Sequence, residues 1–449
     1  MKQDMLHGSP GKSLFLFALP MIIGNLFQQF YNMADTVIVG KFVGEDALAA
    51  VGASYSLTTV FIMIAIGGGI GASVLTSQYL GAGDYGKMKT SIHTALMSFL
   101  CLSILLAVFG LIVNPSILRL LKTPDNIMDD ALLYLQIYFL GMPFLFMYNV
   151  LASTFNALGE SKIPLYLLVF SSILNIFLDL FMIRNLHMGV AGAAIATVMA
   201  QGVSAVISFA ILRKRLKAYE ARKGAVKLFD PSMLWTGTQI AVPSIIQQSI
   251  VSIGMLLVQS VVNGFGSSVL AGYSAGMRVE SICIVPMIAT GNAMSTFTAQ
   301  NLGAKQADRV KKGYVSAYGL IISFAVIIWL ILKLFHNEII SAFMDTDAAA
   351  AAFGTGNAYL TFICWFFVLI GFKAITDGVL RGAGDVGVYM AANLVNLGIR
   401  VFVANHFAAA WGVAAVWYAV PMGWGMNYLI SFAWFLTGRW SRKRLIKEV

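Results

Sequence analysis

Polar side chains at helical spacing inside otherwise apolar runs are the residues of this chain with chemistry to offer. Gln28, Asn32 and Asp35 stand at i, i+4 and i+7, on one helical face. Asn175 and Asp179 are four apart, as are Thr197 and Gln201. A carboxylate in a lipid core is costly unless it meets a cavity or a partner. Arg184 stands at the outer end of the fifth run, and no Lys or Arg within the first six spans can neutralise Asp35 and Asp179. Two carboxylates sharing a pocket without a cation share a proton or hold a metal ion such as Na⁺. The chemistry is therefore that of a coupling-ion site. For Gln28, Asn32 and Gln201 a second reading stands beside it, plain hydrogen bonding between helices.

The second half of the chain is charged differently. Its runs contain Arg278, Glu280, Lys373, Asp377 and Arg400. Lys373, Asp377 and Arg381 follow at i, i+4 and i+8, the spacing of a mutually neutralising stripe. Glu280 has no partner at helical spacing, so it belongs either to a central path or to an ion pair with a neighbouring helix. With Gln28, Asn32 and Gln201, Glu280 and Arg400 form the candidate substrate path.

Motifs of soluble enzymes fail on inspection. Gly11-Lys12-Ser13 lacks the upstream glycine of a phosphate loop, where Leu6 stands instead. Gly67-x-Gly69-x-x-Ala72 lies mid-run without a βαβ context, where small residues serve close helix packing. Cys101, Cys283 and Cys364 fall inside apolar runs and form no C-x-x-C pair. The histidines make no metal-ligand pair at helical spacing. No enzyme, cofactor or ATP hydrolysis is expected, and the energy for transport should come from an H⁺ or Na⁺ gradient.

The elements that position these residues follow from composition. Hydrophobic types make up 59% of 449 residues and charged types 11%, against roughly 25% in a soluble domain. A chain so poor in charge needs lipid as its solvent. Apolar runs near 13–40, 47–80, 90–113, 128–157, 163–184, 189–212, 232–262, 269–301, 313–335, 353–380, 387–405 and 411–437 predict twelve transmembrane helices. Long unbroken runs disfavour a transmembrane barrel, whose strands alternate. Met1 to Lys12 is a short polar lead with no cleavage site after it, so helix 1 is expected to be retained.

Counting Lys and Arg on alternate sides gives 22 on the side of both termini and 5 on the other. That bias places both termini in the cytoplasm of a multi-pass protein of the cell membrane. The net charge of +10 thus reflects topology, and no nucleic-acid partner is expected. On this topology Asp35 lies in the outer part of its span and Asp179 about 24 Å from the cytoplasmic end of its own. Thr197 lies about 12 Å in from the outer end of helix 6, so the three residues can meet. Pro20, upstream on helix 1, is expected to kink it.

The two halves repeat. Ala18-Leu19-Pro20 returns as Ala241-Val242-Pro243, and Gln78-x-Leu80-Gly81-Ala82 as Gln300-x-Leu302-Gly303-Ala304. Ala157-Leu158-Gly159-Glu160 is echoed by Gly382-Ala383-Gly384-Asp385, and Gly189-Val190-Ala191 by Gly412-Val413-Ala414. Six spans per repeat predict two six-helix bundles related by a pseudo-two-fold along the membrane normal. The predicted domains are an N-terminal lobe 1–212, a basic cytoplasmic linker 213–231, a C-terminal lobe 232–437 and a basic tail 438–449. Such an architecture is that of a transporter with its substrate path between the halves.

The residues resemble the multidrug and toxic compound extrusion (MATE) family of cation-coupled antiporters over essentially the whole chain. Ala18-Leu19-Pro20 with Tyr31-Asn32-Met33-Ala34-Asp35-Thr36, Gln78-Tyr79-Leu80-Gly81-Ala82, and Asn175-x-x-x-Asp179 with Gly189-Val190-Ala191-Gly192-Ala193-Ala194 carry the likeness. It is nearest to the DinF-type and Gram-positive branch. There Asp35, Asn175, Asp179 and Thr197 match the positions of an N-lobe proton or sodium site, and Pro20 the helix 1 kink proline. The acidic residue in helix 7 that marks the NorM-type branch is absent, since Gln239 to Gln259 contains no Asp or Glu. The resemblance implies export of amphipathic, often cationic, organic compounds in exchange for H⁺ or Na⁺. The partners expected are small molecules and membrane lipid, and the chain is expected to be a monomer. The alternative function is a lipid-linked oligosaccharide flippase of the same superfamily, which would favour a cationic cleft and added spans.

Overall fold

The computed structural model describes residues 4–120, 123–221, 225–342, 350–443 and 445–446. Lys2, Lys122, Arg222, Lys223, Arg444 and Lys447, all counted in the topology argument, lie outside them. The described residues are helical almost throughout and form no strand. The helices are α1 (Pro10–Phe42), α2 (Glu45–Gly81), α3 (Tyr85–Leu120), α4 (Asp125–Leu140), α5 (Met142–Ala157), α6 (Lys162–Leu180) and α7 (Gly189–Leu216). The second half supplies α8 (Pro231–Asn263), α9 (Ser267–Cys283), α10 (Val285–Gly303), α11 (Ala307–Ala342), α12 (Ala350–Ile363), α13 (Phe367–Gly382), α14 (Val386–Trp411) and α15 (Ala414–Leu436).

Among the described residues, fifteen helices make twelve spans because three spans are broken. A bend of 52° separates α4 from α5 at Gly141, with Pro143 just beyond. Pro286 stands at the start of α10 where it parts from α9, and a short 3₁₀ turn at Cys364–Phe366 divides α12 from α13. Among the described residues, ten spans are long and apolar enough to cross a membrane, eleven with the bent pair. The twelfth, α15, has 23 residues and no charge, but Trp, Tyr, Gly and Asn427 dilute its hydropathy. This is an all-α polytopic membrane protein.

The internal repeat is legible in the turns of each half. After α2, the amides of Ala82, Gly83 and Asp84 bond to the carbonyls of Gln78, Leu80 and Tyr79. After α10, Ala304, Lys305 and Gln306 bond to Gln300, Leu302 and Asn301 in the same pattern. The turn needs a left-handed residue, and Gly83 (φ 73°) fills it in one half while Lys305 (φ 61°) fills it in the other. The turn after α5 likewise repeats after α13, with Gly159 and Gly384 in corresponding places.

Contacts divide the chain into two compact units, one holding Ile23–Ile245 and the other Gln3–Ile22 with Ile246–Val449. Each unit therefore takes in the first part of a long helix whose remainder belongs to the other. These bounds differ from lobes drawn at residues 212 and 232. Local bonds account for the exchange. In the first unit, the amides of Lys227 and Asp230 donate to the hydroxyls of Thr90 and Thr94 on α3, each at 3.0 Å. In the second, the Arg309 guanidinium donates to the carbonyls of Gly8 (2.7 Å) and His7 (2.8 Å). Asn301 donates to the carbonyl of Met5 at 3.0 Å. Pro20 and Pro243 lie two residues before the crossings, and α1 runs on through Pro20 as continuous helix.

Helix ends and contacts follow ordinary rules. Asp230 is the N-cap of α8, its Oδ1 accepting from the amides of Ser232 (2.9 Å) and Met233 (3.3 Å), with Pro231 in the first helical position. Within lipid, helices associate by close packing rather than by a hydrophobic drive. Gly378 on α13 shows how close, since a Cβ there would lie 2.3 Å from the Gly291 carbonyl oxygen on α10.

Candidate functional site

The first unit brings Asp35, Asn175, Asp179 and Thr197 together. Asp35 comes from the later part of α1, Asn175 and Asp179 from α6, and Thr197 from α7. Asn175 and Asp179 are buried, and Asp35 and Thr197 half-buried. The Asp35 and Asp179 carboxyls lie within hydrogen-bonding reach of one another. The Oδ1 of each is buried with no donor among the described residues.

The Asn175 amide is the connector. Its hydrogen bonds are best satisfied with the nitrogen donating to Asp179 Oδ2 at 3.0 Å and to the Tyr31 hydroxyl at 2.6 Å. Its oxygen then accepts from the Thr197 amide at 3.1 Å. The Thr197 hydroxyl donates to the Ala193 carbonyl at 3.1 Å. The Asn175 amide thus turns its nitrogen, not its oxygen, toward Asp179, and the two neighbouring carboxyls are placed to share a proton.

Two tyrosines join the site that residue spacing did not single out. Tyr31 precedes Asp35 by four residues, so the helical spacing that grouped Gln28, Asn32 and Asp35 could also have found it. Tyr134, on α4, lies within electrostatic reach of both carboxyls. No sequence signal links it to them, because only the packing of α4 against its neighbours brings it there. An apolar cluster of Ile38, Val39, Ala47, Ile183, Val190 and Ala193 closes over this end, with Tyr134 and Ile176 packed against it. Immediately after Asp179 the chain enters a π-helical turn, Phe181–Asn185, a feature frequent at functional sites.

The remaining candidates are placed as follows. Gln28 donates to Asn32 at 3.0 Å, so these two satisfy each other rather than Asp35. Gln201 lies half-buried one turn beyond Thr197. In the second unit Lys373 pairs with Asp377 at 3.0 Å, as the stripe predicted. Arg381 does not extend the stripe. It turns to Asn292 at 2.6 Å and Ser295 at 3.3 Å, because α10 packs beside that turn of α13. Asp377 is completed instead by Ser431 at 3.0 Å and Asn393 at 3.3 Å. Glu280 is buried and accepts a hydrogen bond from the Tyr359 hydroxyl. No ion pair of 4.0 Å or less joins it to a base among the described residues.

The MatE family profile matches residues 20–181 and again 243–405, once in each half. The chain belongs to the MATE family of efflux transporters. Over 450 aligned residues it is 29% identical to the probable multidrug resistance protein YpnP of Bacillus subtilis, covering 99% of each chain. A FAD transporter of Shewanella oneidensis is 26% identical over 77% of each. Among solved structures, an outward-facing MATE transporter of the MOP superfamily matches with TM-score 0.88 at 23% identity, over 99% of this chain and 98% of that one. A MOP superfamily transporter from Pyrococcus furiosus matches with TM-score 0.89 at 24% identity, over 99% of this chain and 98% of its own. These structural likenesses establish the fold of a MATE transporter.

Proposed function

We propose that this MATE protein is a secondary antiporter that exports amphipathic organic compounds from the cytoplasm in exchange for H⁺ or Na⁺. The observation that carries the reading is the Asp35–Asp179 pair, two carboxyls within hydrogen-bonding reach and without a base among the described residues beside them. Such a pair holds one positive charge between its two acids, as a shared proton or a cation. Ion entry at Asp35, Asn175, Asp179 and Thr197 favours an α1 conformation of low substrate affinity. Substrate entry from the other side favours the opposite conformation, and coupling needs only that difference. One charge crossing 100 mV supplies about 2.3 kcal/mol, somewhat under a hundredfold of concentration ratio.

In this reading both termini are cytoplasmic, the membrane is the cell membrane, and Asp35 opens toward the exterior. Gln28, Asn32, Gln201, Glu280 and Arg400 belong to the substrate path. The name of the B. subtilis relative supports a range of drugs as substrates, and that of the S. oneidensis relative extends the range to an anionic dinucleotide. Reconstituted protein given a pH gradient or a sodium gradient separately tests the proposal. Substrate-induced flux of one ion is expected, and the absence of both fluxes would overturn it.

A further inference from the structure

The second unit holds a buried cation that the ion chemistry of the first unit does not use. Arg400, on α14, is 8% exposed. Its guanidinium makes no hydrogen bond or ion pair among the described residues, and its Nε is fully buried without a partner. Glu280, 6% exposed on α9, lies within electrostatic reach, but its carboxyl is engaged by the Tyr359 hydroxyl. Glu280 therefore acts on Arg400 only at a distance, since no ion pair of 4.0 Å or less joins them among the described residues.

The surroundings are shaped to keep this group in place. A Cβ at Gly423 on α15 would lie 2.2 Å from Asn396 Oδ1 and 2.9 Å from Arg400 Cγ. Both side chains thus lie across a gap left by glycine, and Asn396 Oδ1 also lacks a donor among the described residues. Trp417, whose ring centre is 6.1 Å from that of Tyr359, contributes another buried and unpartnered donor, its Nε1. A buried guanidinium with no acceptor is unfavourable unless something else supplies one. Its planar fork matches a carboxylate or phosphate through two parallel hydrogen bonds.

The geometry points to Arg400 as the anion-binding group of a substrate subsite in the second unit, so that the compounds exported include amphipaths bearing a carboxylate or phosphate. The inference rests on the export reading above and narrows its substrate class. Glu280, held by Tyr359, sets the limit of the subsite by keeping a negative charge near the guanidinium.

The test compares two dyes that share a ring system. Rhodamine 19 carries a free carboxylate, and rhodamine 6G is its ethyl ester. Binding to purified protein is followed by fluorescence polarisation with no ion gradient. Arg400→Gln should weaken rhodamine 19 about tenfold or more, the worth of one charged hydrogen bond, and rhodamine 6G less than about twofold. Arg400→Lys keeps the charge without the fork and should fall between, which preserves the comparison if the Gln variant fails to fold. Glu280→Gln should tighten rhodamine 19. Equal losses for both dyes, no loss for either, or a wild-type protein that binds only the ester would overturn the inference. Because binding needs no gradient, a failure of ion-driven export falls on the antiport reading alone.

Discussion

The Tyr31 hydroxyl and the Asn175 side-chain amide meet at 2.6 Å across 144 residues of chain. That contact ties α1 to α6 beside the two carboxyls, so anything that alters their charge is felt at once by a second helix. Tyr31→Phe removes the hydroxyl and keeps the ring. Ion-driven export should fall about tenfold, by the worth of a hydrogen bond in a charged network, while gradient-free substrate binding stays within about twofold. Parallel flux and binding measurements on one preparation decide it, and equal losses in both would count against a coupling role.

Asp35→Asn and Asp179→Asn each leave one carboxyl and one amide where two carboxyls stood. Either change removes the capacity to share a proton or hold a cation between two acids. Substrate-induced H⁺ or Na⁺ flux in liposomes should vanish in both variants. Flux near the wild-type value in both would remove this pair from the mechanism.

Tyr359→Phe strips Glu280 of its hydrogen-bond donor. Leaving a buried acceptor unsatisfied should cost about 1–3 kcal/mol, seen as a lower midpoint of thermal unfolding in detergent. Adding Glu280→Gln to that background should cost much less than it does alone, because the shared bond is already gone. Strict additivity would show that the two side chains are uncoupled.

Gly378→Leu forces side-chain atoms into the backbone of α10, where even a Cβ would sit 2.3 Å from the Gly291 carbonyl oxygen. Overpacking of this kind costs about 1–3 kcal/mol, or more where backbone must move. A lower unfolding midpoint is expected, and an unchanged one would show that α10 and α13 separate freely.

At Asp230 the cap bonds give a pH-dependent contribution. The Ser232 hydroxyl, then the amides of Met233 and Ser232 and the charge of Lys227, hold the carboxyl below its ordinary value against a smaller opposing effect of burial. A depressed carboxyl stabilises the fold above its unfolded-state value, and that stability is lost as pH falls through the folded-state value. Asp230→Ala should therefore cost about 1 kcal/mol near neutrality. The gap from wild type should close in acid below the ordinary carboxylate range. Unfolding midpoints measured along a pH series would show whether it does.

Much of this protein follows from its sequence alone. Lipid as solvent dictates long apolar runs, so the number of spans could be counted. Duplication left Pro20 with Pro243, and the turn after Gln78 with the turn after Gln300, in register. Helical spacing placed Asn175 with Asp179 and Lys373 with Asp377, since i, i+4 partners share a face whatever surrounds them. The tertiary structure decided what spacing cannot reach. Tyr134 joins the carboxyls from α4, Arg381 leaves its own stripe for Asn292, and Tyr359 donates to Glu280 from α12. In each case the partner comes from another helix, chosen by packing direction rather than by periodicity. The exchange of the first parts of α1 and α8 between units was hidden for the same reason. Apolar runs mark where a helix lies in sequence, but only the contacts made by Arg309, Thr90 and Thr94 settle which unit holds it.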